Sequence, residues 1–475
     1  MKIARILPVV LVPLLVVLAS CGGGGGNGGA KNATLTGSVA GTTVVVYDSG
    51  GAKVAEAVAT GTSGKSFSVT LPVRRTYAIF LVENAGTASQ RVYPLYSDAS
   101  LTTNLFAFDE PGTIDLGFVD TCSGNAIPTK NPLFANGGSG GGLTTTLPAG
   151  LTTAGTVFSS SDLVGTWSLH ALGVTPLAVS WTRGKISVAA DGTANFTELE
   201  SRLPIGPQPP FAMTVTPGGG VRFAGTDFRG VMSGSKDLIV WNMSSSLGQA
   251  LGFLQRQGTS SAASAEGAYQ FHQLKGLGPG DAVPGRTSWA RGRIQVASDY
   301  RFFAPSDLFQ TSDPDHNSAA SYRGQFLIAA DGTVVMSGNP TLHGTMSSDA
   351  QTLVATATDQ GEQVLMVLQR TGAGFVPADL VATWNFRQLE FWPGTLGQWT
   401  YGKATVDANL MATTFEVAPS PGPNDPVPIA ITGEGLITLT GDPSFRGALS
   451  TDKSLIVGTT SVDSGRTAQL TVLQK

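Results

Sequence analysis

From residue 33 onward, hydrophobic and polar positions alternate in short runs, the period-two signature of half-buried strands, with Gly, Pro, Asn and Ser between them. Over 33–120 the runs are TLTGSV, TTVVVYD, SFSVTLP, TYAIFLVE and TIDLGFVD. The DSGG between VVVYD and KVAEAV is a hairpin signal. These features predict a small β sandwich over 33–120. Residues 121–161 are rich in Gly, Ser, Thr and Pro without sustained periodicity, which predicts a linker. Beyond the N-terminal apolar run, no stretch has the spacing of an amphipathic helix.

The rest of the chain repeats itself three times, over 162–257, 264–371 and 378–475. The openings are DLVGTWSLHAL (162), SAEGAYQFHQL (264) and ADLVATWNFRQL (378). A second anchor reads WTRGKISV (181), WARGRIQV (289) and WTYGKATV (399). A third reads FRGVMSGSKDLIV (228), LHGTMSSDAQTLV (342) and FRGALSTDKSLIV (445), and the closers are LGFLQR, LMVLQR and LTVLQK. Each unit has room for eight short strands. In the first they are TWSLHAL, RGKISVA, TANFTELE, FAMTVTP, GVRFAG, RGVMSG, DLIVWNM and LGFLQR.

Eight antiparallel strands per unit permit two architectures. One is an eight-stranded up-and-down barrel per unit, which leaves no open sheet edge. The other divides each unit into two four-stranded blades of a six-bladed propeller. In FLIAADGTVVMSG, Asp331-Gly332 joins two alternating runs as a tight hairpin, at the place where a propeller would need to cross between blades. The predicted fold is therefore all-β, a sandwich followed by three tandem eight-stranded barrels, with the propeller as the alternative.

Composition agrees with many turns and no helices: 61 Gly and 27 Pro in 475 residues, and 13% charged residues. Without residues 1–20 the chain loses Lys2 and Arg5, and its formal charge moves from −4 to −6. Such a surface has no footprint for nucleic acid and no polybasic patch for anionic lipid. The N-terminus carries Lys2, Arg5 and the 14-residue apolar run ILPVVLVPLLVVLA (6–19), shorter than the roughly 20 residues of a spanning helix. It ends in Leu18-Ala19-Ser20-Cys21 followed by a Gly-rich tether (21–32), which resembles the lipobox of bacterial lipoproteins. The resemblance implies cleavage before Cys21 and acylation of that cysteine by diacylglycerol and an N-acyl chain. With Gly22 after the cysteine rather than Asp, it also implies the outer membrane of a Gram-negative cell. No other cofactor is expected.

Two further resemblances concern the folded part. The order L-x-G-x-V, V-x-V-Y-D, F-x-V-x-L-P and Y-x-I in 33–120 resembles the carboxypeptidase regulatory-like, transthyretin-like Ig fold, which implies a spacer or binding appendage. Leu163-Val164-Gly165-Thr166-Trp167 with a terminal L-x-x-L-Q-R resembles the lipocalin-like, or calycin, pattern. That resemblance implies a Trp on the first strand closing the barrel floor beside a late basic residue. The second repeat departs from it at Tyr269, and the third at Ala382.

Candidate chemistry is sparse. GTSGKS (61–66) half-matches a phosphate loop but has Ala59 where Gly is required and leads into a strand, so no nucleotide is expected. Asp313, Asp315 and Asn317 alternate like the start of a calcium loop, but Ser318 and Gly324 replace its Gly and Glu, leaving a polar surface loop. Glu198 and Glu200 share a strand face and are expected to be solvated, and no G-x-S-x-G elbow exists. His170, His272 and Arg387 occupy one repeat position on the face opposite Trp167 and Leu169, and are expected to meet solvent. Cys122, without an intramolecular partner once Cys21 is acylated, reads as a small apolar loop residue or, alternatively, as an intermolecular disulfide.

The constellation that rises above this background is aromatic. Trp167, Tyr269 and Trp384, and Trp181, Trp289 and Trp399, recur once per unit. They read first as core or barrel-end packing, and second as an apolar or carbohydrate-stacking pocket in each unit. Gly184, Gly292 and Gly402 beside the second set predict a close backbone approach or a strand bend. The expected function is a non-enzymatic, membrane-anchored binding or scaffold protein of the cell envelope, meeting an envelope or extracellular protein or glycan. Small apolar-ligand or glycan binding in calycin-like barrels is the alternative, and a propeller-based sensor or hydrolase the third.

Overall fold

The computed structural model describes residues 31–475 except 61–64, 102, 135–138, 141–146, 149–150, 152–156, 176–177, 202–205, 246–247, 259–264, 278–286, 306–307, 313–321, 360, 392–396, 419–421 and 463–466. Cys21 and the 313–317 loop therefore lie outside the described residues, as does most of GTSGKS. The strand that follows it, Lys65–Pro72, replaces the helix that a phosphate loop would need.

Residues 32–140 form a two-sheeted sandwich. One sheet orders Lys65–Pro72, Asn32–Val39, Gly112–Asp120 and Ile127–Pro128; the other orders Ser139–Gly140, Leu105–Phe108, Arg75–Glu83, Thr42–Asp48 and Lys53–Val58. The DSGG turn is the predicted hairpin: Asp48 Oδ1 accepts from the Gly50 and Ala52 amides at 3.0 and 2.9 Å, and Gly51 takes the left-handed φ of 81°. Alternating Val44, Val46, Ile79 and Leu81 face Leu35, Val69, Ile114 and Leu116 across the core. Residues 121–134, expected to belong to the linker, continue this unit by pairing Ile127–Pro128 with Val119 and Asp120.

Each repeat closes into a barrel, and the propeller alternative is set aside. In the first, the strands Gly165–Val174, Val179–Val188, Thr193–Ser201, Phe211–Val215, Gly220–Phe223, Arg229–Met232, Leu238–Ser245 and Gly248–Arg256 pair in order, and the eighth pairs with the first. The second barrel closes by Gly267–Leu277 against both Thr287–Val296 and Glu362–Arg370, and the third by Ala382–Phe391 against both Gln398–Val406 and Thr467–Gln474. Asp331-Gly332 is the tight turn between Arg323–Ile328 and Thr333–Ser337, as predicted.

The barrels do not hang as beads. The first two strands of the first barrel pack on the last two of the second. The first two of the second pack on the last two of the third, and the first two of the third pack on the last two of the first. A head-to-tail contact repeated three times closes into a ring, the same logic that closes cyclic oligomers. Its axis holds a core of its own, including Leu172, Trp181, Val240, Leu274, Trp289, Val367, Leu389, Trp399 and Val472, separate from the three luminal cores.

This ring corrects one sequence expectation. His170, His272 and Arg387 do project opposite the luminal face, but onto the next barrel rather than into solvent, and all three are buried. His170 hydrogen-bonds Thr345 Oγ1 at 3.0 Å and Thr356 Oγ1 at 3.4 Å, His272 meets Thr459 Oγ1 at 3.4 Å, and Arg387 Nε donates to Arg229 O at 3.2 Å. Alternation along a strand reports which face a residue occupies, not what covers that face. Glu200 likewise is not merely solvated: it takes a salt bridge from Arg183 at 2.7 Å and lies 3.8 Å from His343 of the second barrel.

Candidate ligand site in the second barrel

The six sequence-marked aromatics fall into two structural classes. Trp167, Tyr269 and Trp384 are fully buried at the closed end of each lumen. Trp167 Nε1 donates to Leu163 O at 2.8 Å and Trp384 Nε1 to Leu380 O at 3.0 Å. The Tyr269 hydroxyl reaches Ala265 O and Ala350 O at 3.1 and 3.0 Å, so the tyrosine keeps the floor contact through another donor. A late basic residue covers each ring: Arg256 over Trp167 at 4.4 Å, Arg370 over Tyr269 at 5.7 Å and Lys475 over Trp384 at 4.5 Å. This is the floor geometry that the calycin resemblance implies.

Trp181, Trp289 and Trp399 instead lie between barrels. Trp181 Nε1 donates to Thr358 Oγ1 at 2.9 Å, Trp289 Nε1 to Ser461 Oγ at 2.5 Å, and the Trp399 amide to Gln249 Oε1 at 2.8 Å. Neither set of aromatics lines the cavity in the second lumen. Gly184 and Gly402 sit at β-bulges of the second strands, where a Cβ on Gly184 would stand 2.7 Å from Thr197 O. A Cβ on Gly292 would stand 2.8 Å from Leu308 O.

That cavity, of about 180 Å3, lies inside the second barrel, lined by Phe271, Ile294, Phe302, Phe326, Met336, Leu342, Ala355 and Met366 among others. Repeat comparison explains why it is there. At the position of Leu342 the first and third barrels carry Phe228 and Phe445, and at that of Ala355 they carry Trp241 and Gly458. In the first barrel Phe228 stacks on Phe223 at 3.6 Å and on Trp241 at 5.0 Å. Trp241 in turn lies over Gly252, whose counterpart in the second barrel is Met366. In the third barrel the Phe445 ring covers Gly458. Leu342 and Ala355 supply less bulk than either arrangement, and the difference remains as space. Engineered cavities of similar size, about 150 Å3, hold benzene-sized molecules.

One end of the cavity is polar and has no counterpart in the other barrels. Lys275, buried to 1% of its side-chain surface, lies 3.3 Å from Asp359 Oδ2 and 3.7 Å from Glu362 Oε2. The first barrel has Gly173, Ser245 and Gly248 at these positions, and the third has Glu390, Val462 and Thr467. Tyr322 closes the same end: its hydroxyl donates to Gln273 Oε1 at 2.9 Å, and its ring stacks on Phe271 at 5.2 Å. Burial alone would lower the Lys275 pKa, but Tyr322, Asp359 and Glu362 together hold it above the ordinary lysine value. Burial pushes the Tyr322 phenol up to about 12. Both groups thus keep their protons at neutral pH. Sequence inspection missed this cluster. The signal that could have found it is a charged residue, Lys275, on the luminal register of a first strand.

Elsewhere, Cys122 is a buried free thiol in the axial core, and burial raises its pKa well above the usual range. Among the described residues no group of three or more His, Cys, Asp or Glu side chains could hold a metal ion. Also among them, no helix is long and apolar enough to cross a membrane.

No family model matches the chain, and no curated protein does. Among solved structures, the isotype 1 transferrin binding protein B of Neisseria meningitidis aligns at 9% identity over 65% of this chain and 76% of that one, with a TM-score of 0.24. A double mutant of the transferrin binding protein B of Haemophilus parasuis aligns at 7% identity over 65% and 75%, with a TM-score of 0.23. A DUF3598-family protein of unknown function from Nostoc punctiforme aligns at 10% identity over 66% and 95%, with a TM-score of 0.17. Likeness at this level carries nothing about what the chain binds.

Proposed function

We propose that this chain is a lipid-anchored binding protein of the bacterial cell envelope whose ligand site is the lumen of the second barrel. The carrying observation is the cavity of about 180 Å3 with an apolar body and one polar end, in the one repeat that lacks the aromatic filling of the other two. The anchor rests on Leu18-Ala19-Ser20-Cys21 and the tether; acyl chains on Cys21 would meet the two-signal requirement for stable attachment. The Gly-rich segment then lets the rigid body stand off the bilayer.

Filling the cavity tests the site. A355W/M366G gives the second barrel the Trp-over-Gly pair of the first, and L342F gives it the Phe of both neighbours. Calorimetry with a benzene-sized apolar probe should show saturable binding to the native chain, lost in A355W/M366G and weakened in L342F, with circular dichroism unchanged. Equal binding by all three proteins would rule out this lumen. Labelling with palmitate in cells, abolished by C21A, tests the anchor, and label persisting in C21A would refute it.

A second reading, docking of an envelope or extracellular protein, is favoured by the outer wall of the same barrel. There Phe303 and Leu327 are about half exposed, at 53% and 51%. A pull-down against envelope extract that is insensitive to F303S/L327S would remove this reading.

A further inference from the structure

The polar end of the cavity restricts what the ligand can be. Lys275 is the only cation at depth among the described residues lining it; Arg323, the other, is exposed at the rim. In a site built for a carboxylate, a buried ammonium would offer its field to the ligand. Here two carboxylates from this chain already take it, Asp359 at 3.3 Å and Glu362 at 3.7 Å, and the Tyr322 ring lies 5.9 Å from Nζ. An incoming carboxylate would be stripped of water beside an ammonium that carboxylates of this chain already engage. A hydroxyl costs far less to desolvate, and it can exchange hydrogen bonds with Tyr322, Gln273 or Asn339 at the same end.

Resting on the reading of this lumen as a ligand site, we infer that the second barrel takes a compact apolar molecule with an uncharged, hydrogen-bonding head, such as an alcohol or phenol, and rejects carboxylates of the same size. Selection here works by prior occupation: the carboxylates engage the lysine that would otherwise attract acids. The other barrels have neither this pair nor the lysine, so the selectivity belongs to one lumen.

Titrating the full chain with benzyl alcohol and with benzoate at pH 7 separates the possibilities. The expected result is alcohol binding at least about tenfold tighter than benzoate, since tenfold corresponds to only about 1.4 kcal/mol. In D359N the lysine is half released, and the preference for benzyl alcohol over benzoate should fall several-fold because benzoate gains affinity. Asp359 is partly exposed, so this substitution leaves the core intact. Benzoate binding the native chain as well as the alcohol does, or gaining nothing in D359N, would overturn the inference while leaving the lumen a ligand site. Failure of both probes to bind would count against the lumen itself.

Discussion

Single residues at the ring interfaces carry charges and protons whose cost is set by burial. Burial, with Arg183 and His343 nearby, pushes the His170 pKa down to about 3, and burial with Arg291 does the same to His272. A folded pKa below the unfolded value of 6.5 means that the unfolded chain binds protons first as pH falls. Stability is therefore full above pH 6.5 and declines from there towards pH 3, by roughly 2 kcal/mol per histidine at pH 5. Thermal unfolding between pH 7 and 5 should show a steep fall for the native chain and a shallower one for H170Q/H272Q; parallel curves would disprove the assignment. A second residue-scale case is Lys403, fully buried and 3.0 Å from Glu83 of the sandwich, with Tyr93 and Asn385 as further partners at 3.1 and 2.7 Å. K403M leaves Glu83 buried without its cation and should cost about 3–5 kcal/mol, most of it recovered in K403M/E83M. Denaturant titration of the two variants checks this, and a double variant as weak as the single one would contradict it.

At the scale of the strand, the glycines of the second anchor turn a pattern into geometry. The bulges at Gly184 and Gly402 bend the second strand so that it can serve its own barrel and the ring together. A methyl group at Gly184 would press on Thr197 O and the Phe196 ring, and at Gly402 on Phe415 O. G184A and G402A should each lose about 1–3 kcal/mol by overpacking, whereas G433A, with nothing near its Cβ position, should be close to neutral. Melting temperatures of the three variants decide the matter, and three equal values would mean that the bulges have no steric basis. The repeat was legible at this scale because alternation, the Asp331-Gly332 turn and the closers each imprint on local sequence. The cavity was not, because Leu342 and Ala355 are unremarkable core residues until Phe228 and Trp241 are seen at the equivalent places in a neighbouring lumen.

Across the whole molecule, the four units behave as one body. Besides Lys403–Glu83, the sandwich inserts Arg91, whose guanidinium donates to Gly218 O and Met232 O of the first barrel at 2.9 and 2.8 Å, and to the Lys475 carbonyl of the third. Asn84 pairs with the Thr383 backbone at 2.8 and 3.0 Å. The outer wall of the first barrel, with Leu172, Val174, Trp181, Val240 and Phe253, is core only because its neighbours cover it. Calorimetry of the full chain should therefore give one cooperative transition, while residues 157–257 alone should aggregate or bind hydrophobic dyes. Independent transitions for each repeat would show that the ring is not a unit.

The sequence by itself determined the strands, the threefold repeat and the lipid-anchor signal, and favoured barrels over a propeller that only the pairing of each eighth strand with its own first strand removed, since period-two alternation, turn chemistry and a short motif are properties of neighbours along the chain. Tertiary structure alone decided what covers each outward face. It turned a histidine position read as solvent-facing into a ring interface, and divided one set of six aromatics between barrel floors and seams. It also brought Lys275, Asp359 and Glu362 to one end of one lumen. These outcomes depend on contacts between residues many tens of positions apart, where the same strand face can meet water or another barrel and no local pattern distinguishes the two.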